Sequence, residues 1–400
     1  MIFLYKAKDK EGILKQGEIE SADQHIAVST LRKRGLVVIE VKAKSQGGMF
    51  FLSKFFNRVS FGDLVTTTRQ LATMVGAGLN LSDSMDILEE QQTNKKFKEA
   101  LGEISRDIKG GLALHQALAK HEDIFPPLYI NLVKSGEASG KLDTVLLKMA
   151  DSLEKDRNFK ARIKGAMIYP VLVISMMIIV IFIMMIFVVP KLTDFFGQAN
   201  LDLPLPTKIL ISASSFMASY WWLIILLIII SVILLKRWAK TTEGHLAMNN
   251  FILHIPIVGR ITINVTLTNF SRTFSLLIGA GIPLLDAIKI VQDVTTNAIF
   301  KKSLVVTYSG VERGLTLSSE LIAMPIYPRL VGQMVRVGEE TGKMDEIFSR
   351  LAEYYESESD NLVKNLTSAI EPLVLIVLGI GVAFLVLSII LPIYQLTTSF

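Results

Sequence analysis

The chain has 400 residues, half of them apolar, a mean hydropathy of +0.45 and a formal net charge of +5. Cysteine is absent, which excludes a disulfide framework, a thiol nucleophile and a thiolate metal site. No stripe mixes basic with aromatic residues, so the positive charge does not point to nucleic acid; the densest basic cluster instead directly precedes an apolar stretch.

From the amino terminus, Met1 to Tyr5 is apolar, but Lys6, Lys8, Asp9, Lys10 and Glu11 follow at once. The apolar core of a signal peptide does not fit there, so this end is expected in the cytoplasm. Phe3 to Ala7 and Gly17 to Ile19 read as strands, Ala27 to Arg34 as a short helix before Leu36 to Val41. Residues 1–45 therefore predict a small α/β extension, and 46–59 a linker.

Residues 60–164 read as a bundle of helices. Ser60 and Asp63 have capping-box spacing. Leu64, Val65, Thr68, Leu71, Ala72 and Val75 then share one helical face. Gly76-Ala77-Gly78 stops that helix, since either glycine takes positive φ without steric cost. Ser82 to Gln92 starts another helix, and Leu112 to Ala119 is a short one. From Lys141 onward, Leu142, Val145, Leu146, Met149 and Leu153 again line one face, on a helix that can continue into the membrane.

Residues 165–190, 209–235 and 372–394 are long apolar stretches, each exceeding the roughly 20 residues that cross a bilayer. Lys155, Arg157, Lys160, Arg162 and Lys164 precede the first, and Lys236, Arg237 and Lys240 follow the second. The positive-inside rule then places 1–164 and 236–371 in the cytoplasm, and the 191–208 loop and the 395–400 tail outside. Trp221, Trp222 and Trp238 read as interfacial anchors of span two. Pro170 and Pro372 are expected in the first turns of spans one and three, where a missing N–H is tolerated. The spans carry no central charge, which argues against an ion or proton path. Gly379 and Ala383 give a small-xxx-small pair suited to helix packing.

The two cytoplasmic segments resemble each other. Residues 69–81, RQLATMVGAGLNL, align with 272–284, RTFSLLIGAGIPL, with five of thirteen positions identical: Arg69/Arg272, Gly76/Gly279, Ala77/Ala280, Gly78/Gly281 and Leu81/Leu284. After a one-residue slip, GEASGKLD at 136–143 aligns with GEETGKMD at 338–345, five of eight identical. The pairs are Gly136/Gly338, Glu137/Glu339, Gly140/Gly342, Lys141/Lys343 and Asp143/Asp345. An internal duplication, running from about residue 60 through the following span, is the simplest reading, with span two the unpaired element.

Gly136 to Lys141 superficially suggests a phosphate loop. A Walker A loop needs four residues between its glycines and Ser or Thr after its lysine; here there are three, then Leu142, and Gly338 to Met344 fails identically. The bland reading is a glycine-ended turn between helices, with Lys141 and Lys343 near a helix start. Glu137 and Glu339 then either accept backbone N–H bonds inside the fold or pair with a partner. Arg69 and Arg272 read as internal salt bridges or partner contacts. His25, His115, His121, His245 and His254 show no metal-binding spacing. No cofactor site and no catalytic set is expected.

These markers together form a pattern. It comprises the R-x-L-x-x-x-x-x-A-G-x-x-L run at 69–81, the G-E-x-[ST]-G-x-[LM] motif in both segments, Ala166-x-x-Tyr169-Pro170 leading into span one, and three spans. It resembles the inner-membrane platform proteins of type IV pilus assembly and type II secretion. The resemblance covers essentially the whole chain. It implies an all-α polytopic scaffold with a small N-terminal α/β extension, and no enzymatic activity. Implied partners are a hexameric pilus or secretion ATPase, pilin or pseudopilin subunits, other inner-membrane assembly proteins and further copies of the chain. It also implies the bacterial inner membrane as location. The second segment departs from the pattern, having Glu371-Pro372 where the first has Tyr169-Pro170. The reading from another class is a transporter or channel component.

Overall fold

The computed structural model describes residues 2–8, 14–21, 24–33, 35–43, 58–191 and 204–398. Most of the expected linker and of the 191–208 loop lies outside the described residues. The amino-terminal unit comprises residues 1–60 and 89–100. Its strands β1 (Ile2–Lys8), β2 (Leu14–Glu20) and β3 (Val37–Ala43) form an antiparallel sheet of order β2-β1-β3. Helix α1 (Gln24–Lys33) precedes β3. Leu31 from the helix and Ile19 from β2 are buried, with Tyr5, Val28, Leu36 and Val38 packed around them. Gly17 lies opposite Tyr5 in the register, and the Tyr5 ring covers it so closely that a Cβ would meet Oη at 2.9 Å. The expected small α/β unit is present, with longer strands than the apolar runs alone suggested.

From Phe61 onward the chain is helical. A first segment, of which 89–100 belong to the amino-terminal unit, holds α2 (Phe61–Gly76), α3 (Leu81–Gln91), α4 (Lys95–Lys109), α5 (Leu114–Ala119), α6 (Pro127–Ser139) and α7 (Leu142–Ala166). Helix α2 begins one residue after Ser60 and buries Leu64, Val65, Thr68, Leu71 and Ala72, the face expected from the 3.6-residue period. It packs against α7, which buries Val145, Leu146, Met149 and Ala150. Helix α7 passes, after a break at Met167, into α8 (Ile168–Ile183) and a π-helical turn, Met184–Val188. Pro170 sits in the first turn of α8.

Helix α9 (Leu205–Trp238) is followed by α10 (Thr242–His254) and α11 (Val258–Gly279). Then come α12 (Leu284–Val294), α13 (Ala298–Glu312), α14 (Leu317–Ala323), α15 (Arg329–Thr341) and α16 (Met344–Thr398). Among the described residues, three helices are long and apolar enough to cross a membrane: Leu142–Lys191, Leu205–Trp238 and Met344–Leu391. A further apolar pair, α10 and α11, is bent by 111°. At that elbow Ile257 has φ 70° and ψ −58°, and Val258 N donates to Pro256 O at 2.9 Å. This is the classic γ-turn, which a β-branched side chain adopts only under strain.

The apolar helices expose most of their side chains. Hydroxyls tie them together: Thr207 Oγ1 donates to the Ser388 carbonyl at 2.8 Å, and Ser214 Oγ to the Met185 carbonyl at 2.6 Å. The second bond falls on the π turn, where the altered backbone pairing frees a carbonyl for an outside donor.

The structure corrects two expectations. Pro372 is not in a first turn: α16 starts at Met344 and runs unbroken for 55 residues, so the proline lies in its interior. Residues 136–139 are not a turn either. They are the last turn of α6, and only Gly140 and Lys141 link it to α7.

Candidate functional site

The matched glycine blocks resolve into helix C-caps. Gly78 has φ +89° and Gly281 φ +78°, so the second glycine of each Gly-Ala-Gly takes the left-handed conformation. Leu79 N reaches back to Met74 O, and Ile282 N to Leu277 O, both at 3.0 Å. These are the 6→1 bonds of a Schellman motif. Gly76 and Gly279 are the last helical residues.

The Gly136-to-Lys141 spacing has the same cause. Gly140 caps α6 at φ 65°, and Lys141 N donates to the Gly136 carbonyl at 2.9 Å. Gly342 caps α15 at φ 70°, with Lys343 N donating to Gly338 O at 3.1 Å. Gly136 is glycine because α7 crosses against it: an added Cβ would lie 3.1 Å from Leu142 Cα and from Val145 Cβ. At Gly338 the same atom would meet Met344 Sδ at 3.0 Å and Ile347 Cβ at 3.3 Å. Lys141 precedes α7, and Asp143 stands in its first turn, where a carboxylate is favoured by the helix dipole. Asp345 has that place in α16, and Lys343 lies 3.9 Å from Glu346.

Glu137 and Glu339 turn back to cap short helices that precede them. Glu137 Oε1 accepts from Leu114 N at 2.6 Å, and Oε2 from His115 N at 3.1 Å; Oε2 also touches the His115 ring. Glu339 repeats this with Leu317 N at 2.7 Å and Ser318 N at 3.3 Å. The capped helices are α5 and α14, not the helices that follow the motif. Ala113, at the N-cap of α5, supplies no side-chain acceptor, whereas Thr316 before α14 accepts from Ser319 N.

The arginines hold α2 to α7 and α11 to α16. Arg69 grips Glu154 through Nε at 2.8 Å and Nη2 at 2.7 Å, and also reaches Asp151. The hydrogen bond from Arg69, then its charge, hold the Glu154 carboxyl below the usual range against partial burial. Arg272 pairs with Glu356, which also receives Arg162 from α7. Its Nη1 stands 3.8 Å from Asp156 Oδ1, and neither atom has a hydrogen-bond partner. Both line a crevice of about 730 Å³ between the segments, beside Tyr129, Met149 and Asn297.

The Gly279–Gly281 turn is itself held by the first segment: Lys148 Nζ donates to the Gly279 carbonyl and Ser135 Oγ to the Ala280 carbonyl, both at 2.9 Å. Sequence reasoning singled out neither Lys148 nor Ser135, because nothing in their own helices marks a contact 131 or 145 residues away.

Two stretches of the chain, 67–190 and 270–392, match one family model, that of type II secretion system protein F, and residues 1–42 match the model of its N-terminal domain. The chain belongs to the type II secretion system protein F family. Within this family it is 35% identical over 398 residues to the type IV pilus assembly protein PilC of Thermus thermophilus, covering 99% of this chain and 98% of the relative. It is 33% identical over 395 residues to TapC, a type IV pilus assembly protein of Aeromonas hydrophila (98% and 95% covered). Identity to the type II secretion system protein F of Xanthomonas campestris is 28% over 401 residues, 100% and 99% covered.

Proposed function

We propose that the chain is a non-enzymatic inner-membrane platform that couples a cytoplasmic assembly or retraction ATPase to pilin polymerisation in type IV pilus biogenesis. The observation that carries this reading is full-length similarity to the pilus assembly proteins, at 31–35% identity, against 28–30% for the secretion proteins. In this reading the two helical segments are a duplicated cytoplasmic domain. Residues 1–164 and 236–371 face the cytoplasm, the three apolar helices span the inner membrane, and the carboxyl terminus is periplasmic. The basic flanks at 155–164 and 236–240 support that orientation. Helices α7–α8 and α16 suit a platform because each carries a cytoplasmic bundle helix directly into a span. The helix-capping glutamates and paired arginines support a rigid docking body.

The test is capture of the motor. Full-length protein, solubilised from membranes with an affinity tag, is expected to retain the ATPase encoded with it. Reporters fused after residue 240 and within 191–208 are expected to report cytoplasm and periplasm respectively. Failure to retain the ATPase in any nucleotide state, with the topology as stated, would overturn the coupling role.

A further inference from the structure

The contact between the two segments is one-sided. The first segment's α6–α7 face holds the second segment's Gly-Ala-Gly turn through Ser135 and Lys148. Behind that turn Ile282 is only 9% exposed. Lys134 and Asp286 both line the adjoining crevice.

Among the described residues the counterparts of both halves do not meet; Asp83 Oδ2 accepts from Asn80 Nδ2 at 2.7 Å, which leaves its other carboxylate oxygen for a second donor. By the block alignment, Val337 and Arg350 on α15 and α16 take the places of Ser135 and Lys148. Arg336 takes that of Lys134. The first segment's Gly76-Ala77-Gly78 turn takes the place of the held one, with Leu79 for Ile282 and Asp83 for Asp286. Leu79 is 40% exposed and Val337 46%, and an added Cβ at Gly76 or Gly78 would meet nothing within 4 Å. One open half is thus an apolar knob beside an acid. The other is an apolar spot between two arginines, where the filled contact has one lysine on each side. The charges are complementary, and the geometry that would join them is already realised once inside the chain.

We propose that a second copy of this chain occupies this face, its Gly76–Asp83 turn docking on Val337, Arg336 and Arg350 of its neighbour. The contact is heterologous, head to tail, because its two halves differ. Copies sharing one membrane plane then close into a ring in which bundles of first and second type alternate. Arg350 donates to the neighbour's Gly76 carbonyl, as Lys148 does to Gly279, and Arg336 pairs with Asp83. This rests on the duplication proposed above.

Because the chain lacks cysteine, the test is clean. Two differently tagged full-length copies, one Leu79→Cys and the other Val337→Cys, are co-expressed and treated in native membranes with a short bifunctional maleimide. A product carrying both tags is expected, with none joining two copies of the same variant. Adding Arg336→Glu is expected to lower that product at least ~fivefold, and Asp83→Arg on the partner to restore it. Ser135→Cys with Ala280→Cys in one chain is the internal control. If the control closes and the mixed product is absent, the docking proposal fails while the duplication stands. If products form between like variants, the contact is isologous and the proposal is overturned. If the control itself does not close, the template is wrong and both fall.

Discussion

Glu137→Ala tests whether the repeated carboxylate is a support of the fold. The side chain accepts from two consecutive N–H groups at the start of α5, a helix of six residues whose N-cap position, Ala113, offers no acceptor. Leu114 is 1% exposed, so water cannot readily replace the lost oxygen at its N–H. Losing a charged cap of this kind costs about 2 kcal/mol. Glu339→Ala leaves α14 with the Thr316 cap, so about 1 kcal/mol is expected there. At roughly 1–2 °C per kcal/mol for a cooperative unit spanning 61–88 and 101–400, Glu137→Ala should lower the melting temperature by roughly 2–4 °C, and Glu339→Ala by about half that. Glutamine keeps one acceptor and should fall midway. Scanning fluorimetry of the full chain in detergent measures all four variants. If Glu137→Ala melts with the wild type, or if glutamine and alanine lose filament output alike while both stay folded, the capping argument is wrong and a partner salt bridge takes its place.

Gly140→Ala and Gly342→Ala place a side chain at φ 65° and 70° in open space, so only backbone strain, about 1 kcal/mol, should appear as a lower melting temperature, and asparagine should be milder. Thr207→Val removes the hydroxyl bond to Ser388, and Ser214→Ala the bond to the π turn. Each should cost about 0.6 kcal/mol in unfolding from mixed micelles, and the pair should add. Burial pushes the phenols of Tyr129 and Tyr327 up to about 12, from an ordinary value of 10.0. Burial favours their neutral form, so this share of stability is complete below pH 10 and is lost as pH rises through 12. Absorbance near 295 nm should then show these two tyrosines ionising after the exposed ones, and Tyr129→Phe should blunt the alkaline unfolding.

Much of the helical fold is legible in the sequence because its signals are local. The period of Leu64, Val65, Thr68 and Leu71 gives α2, and the charge-free runs give the apolar helices. Glycine spacing announces the helix ends, but whether Gly76 or Gly78 turns left-handed depends on where the last 6→1 bond closes. Residues 136–139 misled for a related reason. Gly136 suggests a turn, yet it is there for the close crossing of α7, a tertiary cause that leaves no local trace. Pro372 is the converse case: α16 runs on through an exposed proline that sequence rules assign to a first turn, since the helix had already begun at Met344. Helix α4 is equally legible: Phe97, Ala100, Leu101 and Ile104 recur at helical spacing and are buried, although Lys95, Lys96 and Lys98 give its opening a polar look. Glu137 was legible as an acceptor, but not its donors, since Leu114 lies 23 residues earlier.

The two helices that lead from a bundle into an apolar stretch differ in where they can bend. On one side, α7 and α8 are interrupted at Met167 and again by the π turn at 184–188. On the other, α16 is a single rod of 55 residues, about 80 Å at the usual rise per residue. Its weak point is Pro372, which removes one backbone hydrogen bond from the rod's interior. Along α7 and α8 the backbone hydrogen bonds continue across the break at Met167, and bending would concentrate there and at the π turn. One arm thus has a single place to bend, at a proline, and the other has two, at irregular backbone turns.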